Sequence, residues 1–201
     1  MMDTTNTAIN SVGFAVLFLM ILLLYAQLPH KKVRWKLFKS KNKDFSIAEY
    51  EAFIFQLSYS LHFLSKHKIG ALVVIENVDN LKKYVSLGYS VTAKLTSELL
   101  ITVFGNKKSA LHDGGVIVRK FNVISVSSYF PVTQKIMTST YGARHRSATG
   151  LTEETDAIAL IVSETTGNIS YSKKGKIHAL EKENLDVLCD NLFELLNFYI
   201  N

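Results

Sequence analysis

The sequence predicts an α/β domain, a mixed and largely buried sheet flanked by helices, preceded by a single transmembrane helix. Three observations carry this. Residues 8–28 ("AINSVGFAVLFLMILLLYAQL") hold no charge and reach the length of about 20 apolar residues that a helix needs to cross a bilayer. The runs "ALVVIE" (71–76) and "DAIALIVSE" (156–164) are apolar on both sides of a strand, as strands covered on two faces are. Helix-like stretches alternate with such runs early in the chain, and hairpin-like pairs come later, which implies a mixed sheet with helices on both faces.

In chain order, residues 1–29 form the tail and membrane helix, with Tyr25 near one end and Pro29 closing it. Residues 30–45 form a basic juxtamembrane linker. Its lysines and arginine follow the apolar run at once, which predicts a cytoplasmic face for the rest of the chain, and they suit anionic lipid head groups. A cleaved signal peptide is the rival. It wants a basic start and a small-residue cleavage site, whereas this chain begins with Asp3 and no Lys or Arg before the apolar run.

Residues 46–201 form the folded domain. The stretch 44–70 reads as a helix: Ser46 with Glu49 makes a capping-box pattern. Ile47, Tyr50, Ile54, Leu57, Leu61 and Leu64 recur at steps of three and four, which places them on one face. After the strand at 71–76, "TAKLTSELLITVFG" (92–105) reads as a second helix stopping at Gly105. "GVIVRK" and "NVISVSSYF" are strands separated by Phe121, and Pro131 ends the second. "ARHRSATGLTEET" (143–155) begins as a helix or turn. After the strand at 156–164, "NISYSKKGKIHAL" (168–180) forms two short strands around a Lys-Lys-Gly turn. Residues 183–200 close the domain as an amphipathic helix, with Cys189 as a small core residue.

The net charge of +6 is local. Residues 1–43 carry seven Lys/Arg against Asp3 alone, and the remainder is balanced at sixteen basic and sixteen acidic side chains. A neutral domain lacks the electrostatic footprint that phosphate-backbone binding needs, which argues against nucleic acid as a partner. One cysteine excludes an internal disulfide and suits a reducing compartment. Neither GxGxxG after the first strand nor GxxxxGK[ST] occurs, so the common glycine-rich nucleotide loops are excluded.

Three stretches carry more glycine and polar content than packing requires. In "LHDGG" (111–115), Asp113 precedes two glycines at the entry to a strand. This is either a plain turn or a place where backbone lets a ligand approach a carboxylate able to bind metal or take a proton. In "GARHRSATG" (142–150), Arg144 and Arg146 flank His145. Guanidinium groups bind phosphate in bidentate fashion, and a helix start adds free N–H groups. A surface ion-pair cluster with Glu153, Glu154 and Asp156 is the alternative. The strand of 156–164 ends in Ser163 and Glu164, where ligands of α/β sheets gather. Ser163 can donate to phosphate, and Glu164 is either a metal-holding group or an ordinary strand-end acid. An acid, a basic pair, hydroxyls and glycines are the parts of a phosphoryl- or nucleotidyl-transfer site.

These residues fall in a colinear series: "TSELL" (96–100), "LHDGGVI" (111–117), "YFP" (129–131), "GARHRSATGLTEETDA" (142–157) and "VSETTGNIS" (162–170). The series resembles the diadenylate cyclase (DAC) family, whose signatures are D-G-A and R-H-R, and covers nearly all of residues 46–180. A membrane helix ahead of it resembles the anchored subclass. The resemblance implies condensation of two ATP into cyclic di-AMP and two pyrophosphates, with a divalent metal (Mn²⁺, Mg²⁺ or Co²⁺), in a homodimer of facing domains. It implies that Asp113, Arg144 and Arg146 are catalytic and that Asp113 and His112 bind metal. The nucleotide would be held by Gly114, Gly115, Tyr129, His145, Thr149, Gly150, Leu151, Ser163 and Glu164. Within that set, Tyr129 would stack on adenine and the backbone of 149–151 would read the base.

Three positions depart from the family pattern. Gly115 replaces the alanine of D-G-A, Ala143 replaces a threonine, and Thr165 replaces the second glutamate of S-E-E-T-G. That glutamate can bind metal in anchored members. A membrane-anchored adenine-nucleotide sensor without turnover is the alternative reading, with Ala143 and Thr165 as its degenerate positions. The sequence identifies no regulatory membrane or cytoplasmic partner.

Overall fold

A computed structural model of the chain describes residues 17–20, 46–137 and 140–199. The chain divides into two compact units, 1–37 and 38–201. In the first, residues 17–20 are helical, and Leu17, Phe18, Leu19 and Met20 are all exposed. The rest of the expected membrane helix and the basic linker lie outside the described residues. Among the described residues no helix is long and apolar enough to cross a membrane.

The second unit carries the expected mixed sheet, flanked by helices on both faces. Helix α1 (Ile47–Lys66) starts at the predicted capping box: Ser46 Oγ accepts from the Glu49 N–H, and the Glu49 carboxylate accepts from the Ser46 N–H. Its predicted apolar stripe is buried from Tyr50 to Leu64, but Ile47 is 46% exposed. Ile47 lies in the first turn, ahead of Tyr50, the first residue of the helix to reach the core.

Strand β1 (Ala71–Ile75) is buried throughout. A short helix α2 (Lys82–Val85) and strand β2 (Tyr89–Lys94) follow, and helix α3 (Ser97–Gly105) comes next. Here the structure corrects the sequence expectation of a helix from residue 92. Residues 92–94 belong to β2, which pairs with the next strand but one, β4. The helix begins after Thr96, whose side chain accepts from the Leu99 N–H as an N-cap; such a cap ends an extended segment as surely as it starts a helix.

Strands β3 (Gly115–Arg119) and β4 (Asn122–Ser128) form a hairpin. Its turn is Lys120–Phe121, both at positive φ (45° and 64°), the handedness that two-residue hairpins require. Phe121 tolerates this because its ring is buried, stacked on Phe53 at 4.7 Å and edge-on to Tyr199 at 5.4 Å. Helix α4 (Ala143–Glu154), strands β5 (Ile158–Val162), β6 (Ile169–Lys173) and β7 (Lys176–Ala179), and helix α5 (Leu185–Leu195) complete the chain.

The strand order is β2-β4-β3-β1-β5-β6-β7. β1 and β3 are parallel, and the other neighbours are antiparallel. Side chains alternate across the sheet. Ala71, Val73 and Ile75 join α1, α3 and α5 in one core, whereas Leu72 and Val74 join Ala148 and Leu151 of α4 in the other. At one end of the sheet, buried Glu76 pairs with Arg119 and accepts from the Leu81 N–H at 2.9 Å, while the Tyr199 hydroxyl donates to the Glu76 carbonyl at 2.8 Å.

Helix α4 is seated by a glycine. A Cβ at Gly150 would lie 2.3 Å from the Pro131 carbonyl oxygen, and the Thr133 N–H donates to the Arg146 carbonyl at 3.2 Å along the same seam. Gly150→Ala is expected to lower stability by about 2 kcal/mol through overpacking against backbone. A denaturant midpoint indistinguishable from wild type would contradict this seating.

Candidate active site

The topology sends one set of chain ends to one place. β1 starts at Ala71, β3 runs parallel to it from Gly115, and antiparallel β5 ends at Val162 opposite Ala71. Gly70, Asp113 and Ser163 therefore lie at the same end of three adjacent central strands. β4, antiparallel to β3, ends with Ser128 opposite Gly115, which delivers Tyr129. Helix α4 leads back into β5, so its N-terminus, with Arg144 in the first turn, returns to this end as well.

The Arg144 guanidinium is the junction. Nη2 donates to the His112 carbonyl at 3.2 Å and lies 3.1 Å from His112 Nε2, and Nη1 reaches Glu164 Oε2 at 3.5 Å. His112 is buried, and its Nδ1 lies 2.5 Å from the Phe104 carbonyl oxygen, the last turn of α3. A carbonyl only accepts, so Nδ1 carries the proton and Nε2 presents its lone pair. Gly70 leaves the space: a Cβ there would lie 2.5 Å from Arg144 Nη1. The N-cap of α4, Gly142, supplies no side-chain hydrogen bond, and its carbonyl takes the His145 and Arg146 N–H groups, which leaves those of Ala143 and Arg144 to face a ligand.

Asp113, exposed, lines a cleft of about 290 Å³ together with Leu72, Tyr129, Phe130, Arg144 and Ser147. Asp113 and Tyr129 also border a second cleft of about 340 Å³ with Leu87 and Tyr89. On the other side of Arg144, a cleft of about 240 Å³ is lined by Gly142, Ala143, His145, Ser163, Glu164 and Thr165. Asp113, Gly114, Tyr129, Arg144, His145, Ser163 and Glu164 are thus brought to neighbouring clefts that meet at Arg144. His145 is buried, stacked on Tyr141 with ring centroids 4.9 Å apart, and burial lowers its pKa below 6.5. Glu164 is held below the usual carboxylate range chiefly by the Lys107 ammonium beside it.

Other expected residues sit elsewhere. Arg146 points its guanidinium at the Thr133 carbonyl, 3.4 Å away, and lines none of these three clefts. Thr149, Gly150 and Leu151 are buried in α4: Thr149 Oγ1 donates to the His145 carbonyl at 2.9 Å, and Leu151 belongs to the core beneath. Gly114 has φ +70°, and a Cβ there would meet the Ser128 carbonyl at 2.5 Å. Its first duty is to let the Asp113 turn lie against β4.

Gly115 answers to a different neighbour. A Cβ would lie 2.8 Å from Phe130 Cε2 and 2.9 Å from the Leu72 carbonyl oxygen. The Phe130 ring and the Leu72 backbone together close the space that an alanine methyl would take. Sequence reasoning passed over Gly70, Lys107 and Phe130. Gly70, a lone glycine abutting a buried strand, was the signal available for the close approach of Arg144.

A divalent ion fits this end in a limited way. Among the described residues, no group of three or more His, Cys, Asp or Glu side chains stands ready to hold a metal. His112 has the backed Nδ1 of a metal-binding imidazole, but its Nε2 accepts from Arg144 Nη2, so Asp113 is the donor that stands open and His112 joins it only when Arg144 turns to a ligand. Such a short donor set suits an ion that takes its other ligands from water and phosphate.

Residues 58–177 match the family model described as DAC: DisA bacterial checkpoint controller nucleotide-binding. The chain is 49% identical over 160 residues to the diadenylate cyclase of Mycoplasma pneumoniae, spanning 80% of this chain and 77% of that protein. It is 50% identical over 145 residues to the diadenylate cyclase of Mycoplasma genitalium, 72% of each chain. Its fold is similar to the crystal structure of a double mutant of DacA from Staphylococcus aureus. The TM-score is 0.68 at 33% identity, over 73% of this chain and 97% of that one. A hypothetical membrane spanning protein from Bacillus cereus is similar at a TM-score of 0.60 and 34% identity, over 63% and 62% of the two chains.

Two outcomes follow from the geometry. Gly115→Ala is expected to destabilise the domain by about 1–3 kcal/mol through overpacking, and Phe130→Leu on top of it to recover the part that the ring contributes, leaving the clash with the Leu72 backbone; additive losses in a double-mutant cycle would show that the two positions do not share one space. Because burial keeps His145 neutral, its contribution to stability is full above 6.5 and is lost as pH falls from there through its lowered folded value. Urea midpoints at pH 8 and pH 5.5 should therefore diverge less in His145→Gln than in wild type; equal divergence would remove His145 from the account.

Proposed function

The chain belongs to the diadenylate cyclase (DAC) family and is a nucleotidyltransferase; from that premise we propose that it condenses two ATP into cyclic di-AMP and two pyrophosphates, with a divalent metal, between two domains that face each other. One observation carries the assignment of roles: Asp113, Tyr129 and Arg144 line a single cleft. An acid, an aromatic face and a guanidinium meet where a nucleotide would need a base partner, a stacking surface and a countercharge.

Each bond-forming step joins a ribose 3′-oxygen to an α-phosphorus and breaks the bond to the β-phosphate oxygen, so that pyrophosphate leaves. Asp113 is exposed and placed to accept the proton of the 3′-hydroxyl as the oxygen attacks. Arg144, with the first N–H groups of α4, neutralises charge on the phosphates as the leaving group departs. Ser163 adds a hydroxyl from the end of β5. Tyr129, 60% exposed, offers its ring to adenine. A metal held by Asp113, and by His112 once Arg144 leaves its Nε2 for the phosphates, would polarise phosphate oxygens and help ionise the 3′-hydroxyl. Two reacting nucleotides must lie head to tail, and a second copy supplies that proximity. Arg146, bound to the Thr133 carbonyl, acts here by fixing the segment that carries Tyr129.

The reading extends to location. The uncharged run at 8–28 would anchor the chain as a single-pass protein in the cell membrane, with 30–45 as linker and 46–201 in the cytoplasm. The exposed apolar side chains at 17–20 support it, as does the similarity to a Bacillus cereus protein described as membrane spanning.

The test is incubation of the full-length chain with ATP and Mn²⁺ or Mg²⁺, with cyclic di-AMP followed by chromatography. Wild type is expected to form it, and Asp113→Asn to lose at least about 100-fold in rate. Equal product from both would sink the proposal.

A further inference from the structure

The site is short of cations for a triphosphate. Of the two arginines in "RHR", one lines the clefts, while Arg146 lines none of them and reaches the Thr133 carbonyl at 3.4 Å. A different segment brings a cation to the rim: Lys107 lines none of the clefts itself but is held at one of them by Glu164. Lys107, in the loop between α3 and the turn that carries His112, pairs its Nζ with Glu164 Oε1, while Arg144 Nη1 approaches Oε2 of the same carboxylate. Glu164 lines the cleft at the N-terminus of α4 together with Arg144 and Ser163. One carboxylate thus gathers two cations at the mouth of the cleft. An ammonium has three donors on a flexible stem, and Glu164 accepts one of them. The Lys107 side chain is 57% exposed, so a ligand in the cleft can reach it.

We propose that Lys107 is a second polyphosphate-binding cation of this site, gathered by Glu164 to meet the β- and γ-phosphates of ATP and the pyrophosphate that leaves; this rests on the ATP chemistry proposed above. The α-phosphate and adenosine remain with Arg144, Asp113 and Tyr129. Lys107 therefore discriminates by the length of the phosphate chain, favouring ATP over AMP. It also accounts for Glu164 in a chain that has Thr165 beside it: the remaining acid aligns Lys107 and Arg144 against each other.

The experiment uses the full-length chain in detergent. Titration calorimetry gives affinities for ATP, AMP and inorganic pyrophosphate, and the cyclase assay gives KM and kcat, for wild type, Lys107→Met, Lys107→Arg and Lys108→Met. Lys107→Met is expected to weaken ATP and pyrophosphate about tenfold, the scale of one lost charge-assisted hydrogen bond, and to raise KM with kcat little changed. AMP affinity should stay within about twofold, Lys107→Arg should restore most of the loss, and exposed Lys108→Met should behave as wild type. Unchanged ATP and pyrophosphate affinity in Lys107→Met overturns the proposal, and so does an equal loss for AMP, which would mark a merely structural ion pair. A wild type that forms no cyclic di-AMP yet loses pyrophosphate affinity on Lys107→Met overturns the cyclase reading and upholds this one.

Discussion

A single guanidinium ties the functional end of this domain together. Arg144 is permanently charged and rigidly forked, and its partners come from three remote segments: His112 before β3, Glu164 after β5, and the vacancy at Gly70 before β1. Each of those segments is fixed by the sheet, so the register of β3-β1-β5 determines whether Arg144 is seated. The dependence runs the other way too. A charged group lodged among buried strand ends needs acceptors, and His112 serves with both its carbonyl and its Nε2.

The arrangement departs from the usual rule for open α/β sheets, in which ligands gather beyond the carboxyl ends of parallel strands. Here β1 and β3 present their amino ends, and β4 and β5 their carboxyl ends, to the same clefts. A purely parallel sheet cannot do this. The result is chemical variety in little space: a glycine turn with an acid from one strand start, a hydroxyl and a carboxylate from one strand finish, an aromatic from another. Helix α3 joins in through its Phe104 carbonyl, which sets the tautomer of His112. The helix on one face is thereby linked to α4 on the other through two hydrogen-bonded side chains.

Much of this was legible in the chain. The apolar runs became fully buried strands over 71–75 and 158–162, where nothing polar interrupts them, and the Ser46–Glu49 signature became the capping box. The motifs "LHDGG", "RHR" and "VSE" brought most of the site residues to one end. What failed to show was whatever depends on direction. Residues 92–94 carry no helix-breaking residue, and their pairing with β4 is a long-range fact. Arg144 and Arg146 are two residues apart, which on a helix sends them to different faces; one lines the clefts and the other holds a loop. Thr149 to Leu151 follow the motif in sequence but turn toward the core. Gly115 makes sense only beside Phe130, a partner from the next strand's end.

The sheet has two edges, β2 and β7, and the second is the more exposed in its composition. Strand β7 is four residues long and follows a tight turn, Lys174–Gly175, with Lys173 and Lys176 paired on either side of it. A second copy adding itself to that edge in parallel and in register would set its own Lys176 against this one. Like charges placed opposite one another are repelled, and short lysine-bearing edges are a recurring guard against strand addition. An edge of this kind discourages templating of the sheet into fibrils.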